Sequence, residues 1–588
     1  MYMTTYRNEY PRPQFVRERW MNLNGLWQFE LDLGNSGEAR KVYGKSSFEA
    51  QIIVPFCPES ELSQVNYKDF IPACWYKRQF VLPKEWLKGR ILLHFGAVNY
   101  LCKVWINGHL AGMHHGGYSS FCIDIRDYVI EGENSIAVYA QSDVRLGKQP
   151  SGKQSPEYES FGCFYTRTTG IWQTVWLEPV SEIYLDQIML TPDVANQCLK
   201  VSAKLPKSMA CTQLKAEAYY RGKAVGTASS FANGKQVEVI LPLQEAHFWN
   251  PGEPELYNLS LKLEADGITI DAVESYFGLR SVEISGPNIL INGKPVFQRL
   301  ILDQGFYPKS VITAPSDEDI KADIDRSIAM GFNGARLHQK IFEARFLYWA
   351  DHLGYIVWGE HGNWGLDISA GEGLKHFLPE WMEAVQRDYS SPALIGWCPF
   401  NETQRDSDLQ VLKAVYNVTK WIDSTRPVID TSGWMHSDET DIYDYHDYEQ
   451  DPQILSENAR LYASVKTGEV FHQPVMFHKL NWRPIQNPIS KGQPIFISEF
   501  GGFGLDIQSS DKAVWSYGKS ASSKEEFISR LQGQVDALLN TEGICGFCYT
   551  QLTDVEQEKN GLYTFDRSPK LQPDMIRHVV SRKAWNET

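Results

Sequence analysis

The sequence predicts a chain of several domains, two antiparallel β-sandwiches followed by a (β/α)₈ barrel. Three observations predict it. Roughly the first 280 residues hold short apolar runs alternating with period two and few helical stretches. Beyond Ser285 the runs turn continuously apolar, and amphipathic segments separate them. Two of the later runs, LIGWCPFNE and PIFISEFGG, each place one glutamate, Glu402 or Glu499, at the end of a stretch that otherwise wants to be buried. A chain of 588 residues also exceeds what one hydrophobic core can organise.

Residues 1–180 form the first predicted domain, with strands at 26–31, 75–82, 90–95, 101–106, 135–140 and 172–177. Asn107-Gly108 follows KVWI and precedes a second strand-like segment, as expected of a tight hairpin turn. GMHHGGYSSF (112–121) reads as a turn-rich link. Its His114 and His115 lack further ligands nearby and read as surface or packing residues. Residues 181–284 carry evenly spaced strands at 184–190, 199–203, 214–220, 237–241 and 257–263, as in an immunoglobulin-like sandwich. Leu259, Leu261 and Leu263 alternate with Ser260 and Lys262, which predicts one buried and one wet face.

Residues 285–588 form the predicted barrel. Asn292-Gly293 marks a hairpin, and eight strands follow at 297–302, 332–337, 355–359, 394–400, 427–431, 442–446, 494–498 and 545–551. Amphipathic helices are expected at 319–330 and at 342–353, where Phe346, Trp349, Ala350 and Leu353 form one stripe. By this tally Glu402 closes strand four and Glu499 closes strand seven, with 303–313 and 434–441 as long loops over the opening.

Composition excludes several classes. The net charge is −15, with no basic patch, which argues against a nucleic-acid partner. No window is apolar for long enough to span a membrane, and the start, MYMTTYRNEYPRP, lacks the apolar core of a secretory leader. The 10 cysteines are scattered and lie mostly in strand-like runs, as expected of reduced thiols in a cytoplasmic protein. Cys545 and Cys548 form a CxxC inside such a run and read as structural.

A barrel brings strand C-termini to one opening, so Glu402 and Glu499 can face each other there. Two carboxylates supply what glycoside hydrolysis needs, a proton for the leaving oxygen and stabilisation of an oxocarbenium-like centre. Glu499 reads as the nucleophile, and Glu402 as the acid that later becomes the base. Asn401, Asp303, Arg336, His338, His446 and Gln551 fall where polar groups could hold a sugar, and Arg336 could also keep Glu499 ionised. Trp434, Trp482 and Tyr549 are candidate stacking surfaces. No cofactor is required. Glu360 and His361 could contribute to a divalent-cation site, but no metal ligand set is assigned.

These motifs carry a resemblance. LNGLWQFELD (23–32), KVWINGHLAGMHHGGYSSFCIDI (103–125), TTGIWQTVWLEPV (168–180), FGLRSVEI (277–284), INGKPVFQR (291–299), GFNGARLH (331–338), GWCPFNE (396–402), ISEFGG (497–502) and TDVEQEKNGLYTFDRSPK (553–570) resemble, in order, segments of glycoside hydrolase family 2. That family contains large β-galactosidases, β-glucuronidases and β-mannosidases. The resemblance implies a jelly-roll domain, an immunoglobulin-like domain and a catalytic barrel. It also implies retaining exo-hydrolysis with Glu402 as acid/base, Glu499 as nucleophile and Asn401 on the 2-hydroxyl. Where the family's glucuronidases carry an Asn-x-Lys pair for the sugar carboxylate, this chain has Glu558, Lys559 and Asn560. Lys559, Arg483 or Lys340 could serve an acidic sugar instead.

The expected activity is therefore hydrolysis of terminal β-linked sugars from small glycosides or oligosaccharides, with β-galactosidase favoured. The alternatives are a β-glucuronidase-like or β-galacturonidase-like hydrolase and a non-catalytic carbohydrate-binding protein. The resemblance also allows a homo-oligomer.

Overall fold

The computed structural model describes residues 6–475, 487–505 and 514–587. Its β-rich N-terminal part arises from the predicted alternation. A six-stranded antiparallel sheet runs in the order Ala50–Val54, Gly25–Leu31, Ala73–Leu82, Gly132–Gln141, Leu101–Ile106 and His109–His115. A second sheet holds Met21–Asn22, Val175–Val180, Arg90–Phe95 and Phe121–Asp124. Trp27, Phe29, Tyr76 and Val138 of the first share one core with Leu93, Phe95, Val175 and Leu177 of the second. Asn107 and Gly108 adopt the left-handed conformations of the hairpin turn (φ 50° and 82°). The strand-like segment expected after it is the edge strand His109–His115, which runs on through 112–115, the first residues of the supposed link.

Three strands (Gln187–Asp193, Cys198–Lys204, Gln236–Pro242) and four more (Lys223–Phe231, Thr212–Tyr220, Tyr257–Ala265, Ile268–Phe277) enclose a separate core. Leu259, Leu261 and Leu263 point into it, and Lys262 points out. Ser260 departs from the predicted wet face. It is buried and donates to Glu274 on the neighbouring strand, beside which Val16 of the N-terminal segment also pairs.

The C-terminal part is a curled parallel sheet of seven strands. Its order is Leu394–Cys398, Ile356–Glu360, Gly334–Leu337, Gln298–Asp303, Ile544–Thr550, Ile495–Gly501 and Tyr443–Asp447. Most of these strands are buried on both faces, as crossover helices require. Helix Asp317–Ala329 starts where the Ser316 hydroxyl accepts from Asp319 N, with three acids in its first turn. Helix Ala344–Leu353 ends on Gly354 in the left-handed conformation.

Between the sheet's two outer strands the expected fifth strand, 427–431, is reduced. A parallel bridge joins Trp397 to Val428, and Phe400–Asn401 pairs with Thr431–Ser432. Pro427 has no N–H for a ladder, and the side chains of Asp430, Thr431 and Ser432 are engaged in their own hydrogen bonds. The seventh strand runs on past Glu499 to Gly501, so Glu499 does not close it. All 10 cysteines are unpaired, and Cys545 and Cys548 are buried within Ile544–Thr550. Among the described residues no helix is long and apolar enough to cross a membrane.

Candidate active site

Arg336 organises the C-terminal edge of the curled sheet. Its guanidinium is buried. Nε donates to Glu360 Oε2 at 2.6 Å, Nη1 to Glu499 Oε1 at 2.9 Å, and Nη2 to Asn401 Oδ1 at 2.5 Å. The fixed fork of arginine thus sets the position of three side chains from three strands at once. Burial disfavours its charge, but Glu360 and Glu499 outweigh that and keep it protonated.

Glu499 is almost wholly buried. The ladder shifts register between Ile497 and Phe500, and this bulge turns both Ser498 and Glu499 inward, where a regular strand would send them to opposite faces. The Tyr448 hydroxyl donates to Glu499 Oε2 at 2.5 Å, and His446 Nδ1 lies 3.4 Å from the same oxygen. Burial alone would raise this carboxyl. The neighbouring His446 and Arg336, helped by the Tyr448 hydroxyl, outweigh burial and hold Glu499 at about 2.

Glu402 follows the strand pair Phe400–Asn401/Thr431–Ser432 in a left-handed conformation (φ 50°), which costs a non-glycine residue on the order of 1–3 kcal/mol. Its N–H donates to Ser432 O at 2.8 Å, which pins the turn. One carboxylate oxygen lies 2.8 Å from His446 Nδ1. One ligating atom each from Glu402, His446 and Glu499 converge within 4.8 Å of one another, the one such set of acidic and histidine side chains among the described residues. Glu360 and His361 do not join it. Glu360 accepts from Arg336 and from Gln339 N, while His361 turns away to Glu380 (3.3 Å) and Phe377.

Behind His446 runs a buried polar chain. Nε2 is 2.9 Å from Ser432 Oγ, which donates to Asp444 Oδ2 at 2.7 Å. His436 sits between Asp430 (2.7 Å) and Asp444 (3.0 Å). Burial opposes its charge, yet the two carboxylates push His436 up to about 10. Asp444, despite its burial, is held below the usual carboxylate range by His436 and the Ser498 hydroxyl. An ionised Asp444 takes the serine proton. Ser432 Oγ therefore accepts from His446 Nε2–H, and Nδ1 faces Glu402.

Of the other predicted residues, Asn401 and His338 lie with this group. Asn363 and Trp364 hold the Asn401 backbone, and the Asn401 amide nitrogen is buried without a hydrogen bond among the described residues. His338 Nδ1 is 3.0 Å from Glu360 Oε1 but off the hydrogen-bond direction. Burial and the charges of Lys153 and Arg336 push its imidazole well below the usual range, so it is neutral. Gln551 is buried between Gln304 and Asn560. Trp434, with Phe164 and Trp364, lines a cleft of about 420 Å³ that reaches Glu402. Asp303 is instead packed near Asp323, Arg567 and Lys340, where burial and Asp323 raise it to about 6. Tyr549 lies in the core against Phe500, on the strand face opposite Thr550, whose hydroxyl meets Tyr448. Trp482 and Arg483 lie outside the described residues.

Sequence reasoning missed Tyr448, Lys153 and the Tyr165–Glu558 contact. Tyr448 was within reach, since period two through Tyr443–Asp447 puts 444, 446 and 448 on one face. Lys153 and Tyr165 come from the N-terminal part, and no local pattern announces that they meet residues hundreds of positions away.

Comparison with known proteins agrees with this geometry. Residues 20–151 match the model of the glycosyl hydrolases family 2 sugar binding domain, and 183–280 match a second model of glycosyl hydrolases family 2. The β-glucuronidase of Paenibacillus borealis is 24% identical, over 97% of this chain and 98% of that protein. The β-galactosidase of Thermoanaerobacter pseudethanolicus is 24% identical, over 73% of this chain and 56% of that one. The Ruminococcus gnavus β-glucuronidase, solved in complex with D-glucuronic acid, superposes with a TM-score of 0.78 at 18% identity, covering 98% of this chain and 100% of that one. With acidic side chains at the mouth of a parallel sheet and two glycosyl hydrolases family 2 domains matched ahead of it, the comparisons support glycosyl hydrolases family 2 for this chain, a β-glycosidase.

Proposed function

We propose that the chain is a retaining exo-β-glycosidase in which Glu499 is the nucleophile and Glu402 the acid/base. The supporting architecture is a jelly-roll domain (1–180), an immunoglobulin-like sandwich (181–284) and a (β/α)₈ barrel (285–588), the reduced fifth strand completing the barrel's count. The observation that carries the reading is that one carboxylate oxygen of Glu402 and one of Glu499 lie within 4.8 Å of each other. Inversion needs about 6.5–9.5 Å to admit a water, whereas retention uses about 5–5.5 Å.

The two carboxyls are prepared differently, as their roles require. Glu499 is held ionised and can attack the anomeric carbon. Glu402 is partly open to the aromatic cleft, where a leaving group would emerge, and can protonate the departing oxygen. As a carboxylate it then takes a proton from the water that releases the sugar. Asn401, fixed by Arg336 through Oδ1, keeps its amide N–H₂ for a sugar hydroxyl. None of these steps calls for a cofactor.

The terminal sugar is a galactoside or a uronide. The relatives named above include both activities, and glucuronidases predominate among them. The mechanism is tested by following an aryl glycoside by NMR and by trapping with a 2-fluoro glycoside. A β-anomer as first product and a mass adduct on Glu499 are expected. An α-anomer first, or a Glu499→Gln enzyme as active as the parent, would remove the double-displacement reading.

A further inference from the structure

Among the described residues one cation in the site lacks an ion-pair partner. Lys153 is 5% exposed, and its Nζ lies 4.0 Å from the ring centre of Trp364. Among the described residues that Nζ makes no hydrogen bond and has no carboxylate within ion-pair distance. The surrounding acids are already served. Glu499 has Arg336 and Tyr448, Glu402 has His446, and Glu360 has Arg336 and Gln339 N. Glu558 accepts from Tyr165 and from Asn560, the latter at 2.9 Å. A buried ammonium offers three donors, and leaving them unused is costly unless a ligand takes them.

The lysine is placed deliberately. Ser151 N and Gly152 N donate to Trp364 O and Gly362 O at 2.8 and 3.0 Å, which ties this loop to the one that carries Trp364 and holds Asn401. Gly152 has φ 58°, and a Cβ there would fall 2.3 Å from Gln339 O, so only glycine permits the approach. Tyr165 N donates to Lys153 O at 2.7 Å. Burial disfavours the charged amine, but the nearby carboxylates of Glu558, Glu499 and Glu402 keep it an ammonium. The other basic candidates among the described residues are engaged or turned elsewhere. Lys340 donates to Gly305 O and Ile312 O, and the influence of Lys559 falls on Asp554 and Lys570.

We propose that Lys153 binds the carboxylate of a uronic acid ring seated between Glu402 and Glu499, so that the enzyme acts on β-uronides rather than neutral β-glycosides. This rests on the β-glycosidase reading and assigns its substrate class to a residue of the N-terminal domain.

The test compares p-nitrophenyl β-D-glucuronide, β-D-galacturonide, β-D-galactoside and β-D-glucoside on the parent and on Lys153→Met, which keeps the stem over Trp364. A uronide should be preferred by the parent. The Met variant should lose at least about 30-fold in kcat/KM on it, the low end for removing one member of a buried charge pair, chiefly through KM. Neutral substrates should change less than about 3-fold, as expected where no charge is met. Equal losses on charged and neutral sugars, or a parent that prefers the galactoside, would overturn the assignment while leaving the double displacement intact. Calorimetric binding of D-glucaro-1,5-lactone against D-glucono-1,5-lactone reads the same contact without turnover. Equal affinity in the parent refutes it, and loss of the preference in Lys153→Met, or in Lys153→Gln should the first variant fold poorly, supports it. A protein that prefers the glucarolactone but turns over none of the four glycosides would keep Lys153 and sink the hydrolase mechanism.

Discussion

His446 Nδ1 lies 2.8 Å from Glu402 Oε1, while its Nε2 is committed to Ser432. One ring nitrogen is thus reserved for the proposed acid/base and the other is anchored through Ser432 and Asp444 to His436. The same imidazole touches Glu499 at 3.4 Å and faces Arg336, His338 and Glu360 across the site.

If His446 orients the proton that Glu402 delivers, its loss should depend on how much the leaving group needs that proton. For His446→Ala we expect kcat/KM to fall about 10²-fold or more on alkyl glycosides, the scale of general acid catalysis, and far less on dinitrophenyl glycosides. Measuring the Brønsted dependence on leaving-group pKa decides this. A uniform loss across leaving groups would make His446 a packing residue.

Arg336→Met separates the electrostatics of the nucleophile from its position. Glu499 is depressed from the ordinary 4.5 to about 2, so it contributes stability above the ordinary carboxylate range, and that contribution disappears as pH falls toward 2. Without the guanidinium, one of the main influences opposing burial is gone and the carboxyl rises. The acid limb of kcat/KM should move to higher pH, and stability should drop by about 3–5 kcal/mol, as for a broken buried ion pair. Denaturant melts and a pH–rate profile test both, and an unmoved acid limb would mean that Arg336 does not govern Glu499.

How far the sequence could be read follows from which interactions are local. The alternation of Leu259, Leu261 and Leu263 and the turns at Asn107-Gly108 and Asn292-Gly293 depend on neighbours in the chain, and the structure contains them. Glu402, Glu499, Arg336, His446 and Asn401 were legible because each ends or interrupts an apolar run. The edge strand His109–His115 was legible at its start, as the strand-like segment after the Asn107-Gly108 turn, but its continuation through 112–115 was not, since that glycine- and histidine-rich stretch reads as a loop. Asp303 and Tyr549 share that strand-end signature, yet one is drawn into the Asp323–Arg567 group and the other into the core. Lys153 owes its place to backbone contacts between two loops, Ser151–Trp364 and Gly152–Gly362, that no periodicity encodes.

Tyr448 stacks face to face on Tyr517 with centroids 3.6 Å apart, which fixes the hydroxyl that reaches Glu499. A donor aimed at the nucleophile matters most as its charge changes on forming and breaking the glycosyl bond. Tyr448→Phe should therefore fold like the parent but lose about 10²–10³-fold in kcat, the range for one preorganised donor. Burst kinetics with a fast leaving group should show the glycosyl-enzyme accumulating. A variant with parental kcat would relegate the tyrosine to packing.

Trp434, Trp364 and Phe164 wall the cleft that opens beside Glu402, and neither Arg336 nor Glu499 lines it. If the ring being released rests on these aromatic faces, Trp434→Ala removes contact with the leaving group and none with the sugar that stays. The expected result is a KM several-fold higher for disaccharides, consistent with about 1 kcal/mol from one aromatic contact. Hydrolysis of a trapped 2-fluoro glycosyl-enzyme, which has already lost its aglycone, should proceed at the parental rate. If that deglycosylation slows as much as disaccharide turnover, Trp434 acts on the retained sugar and the cleft is not where the leaving group sits.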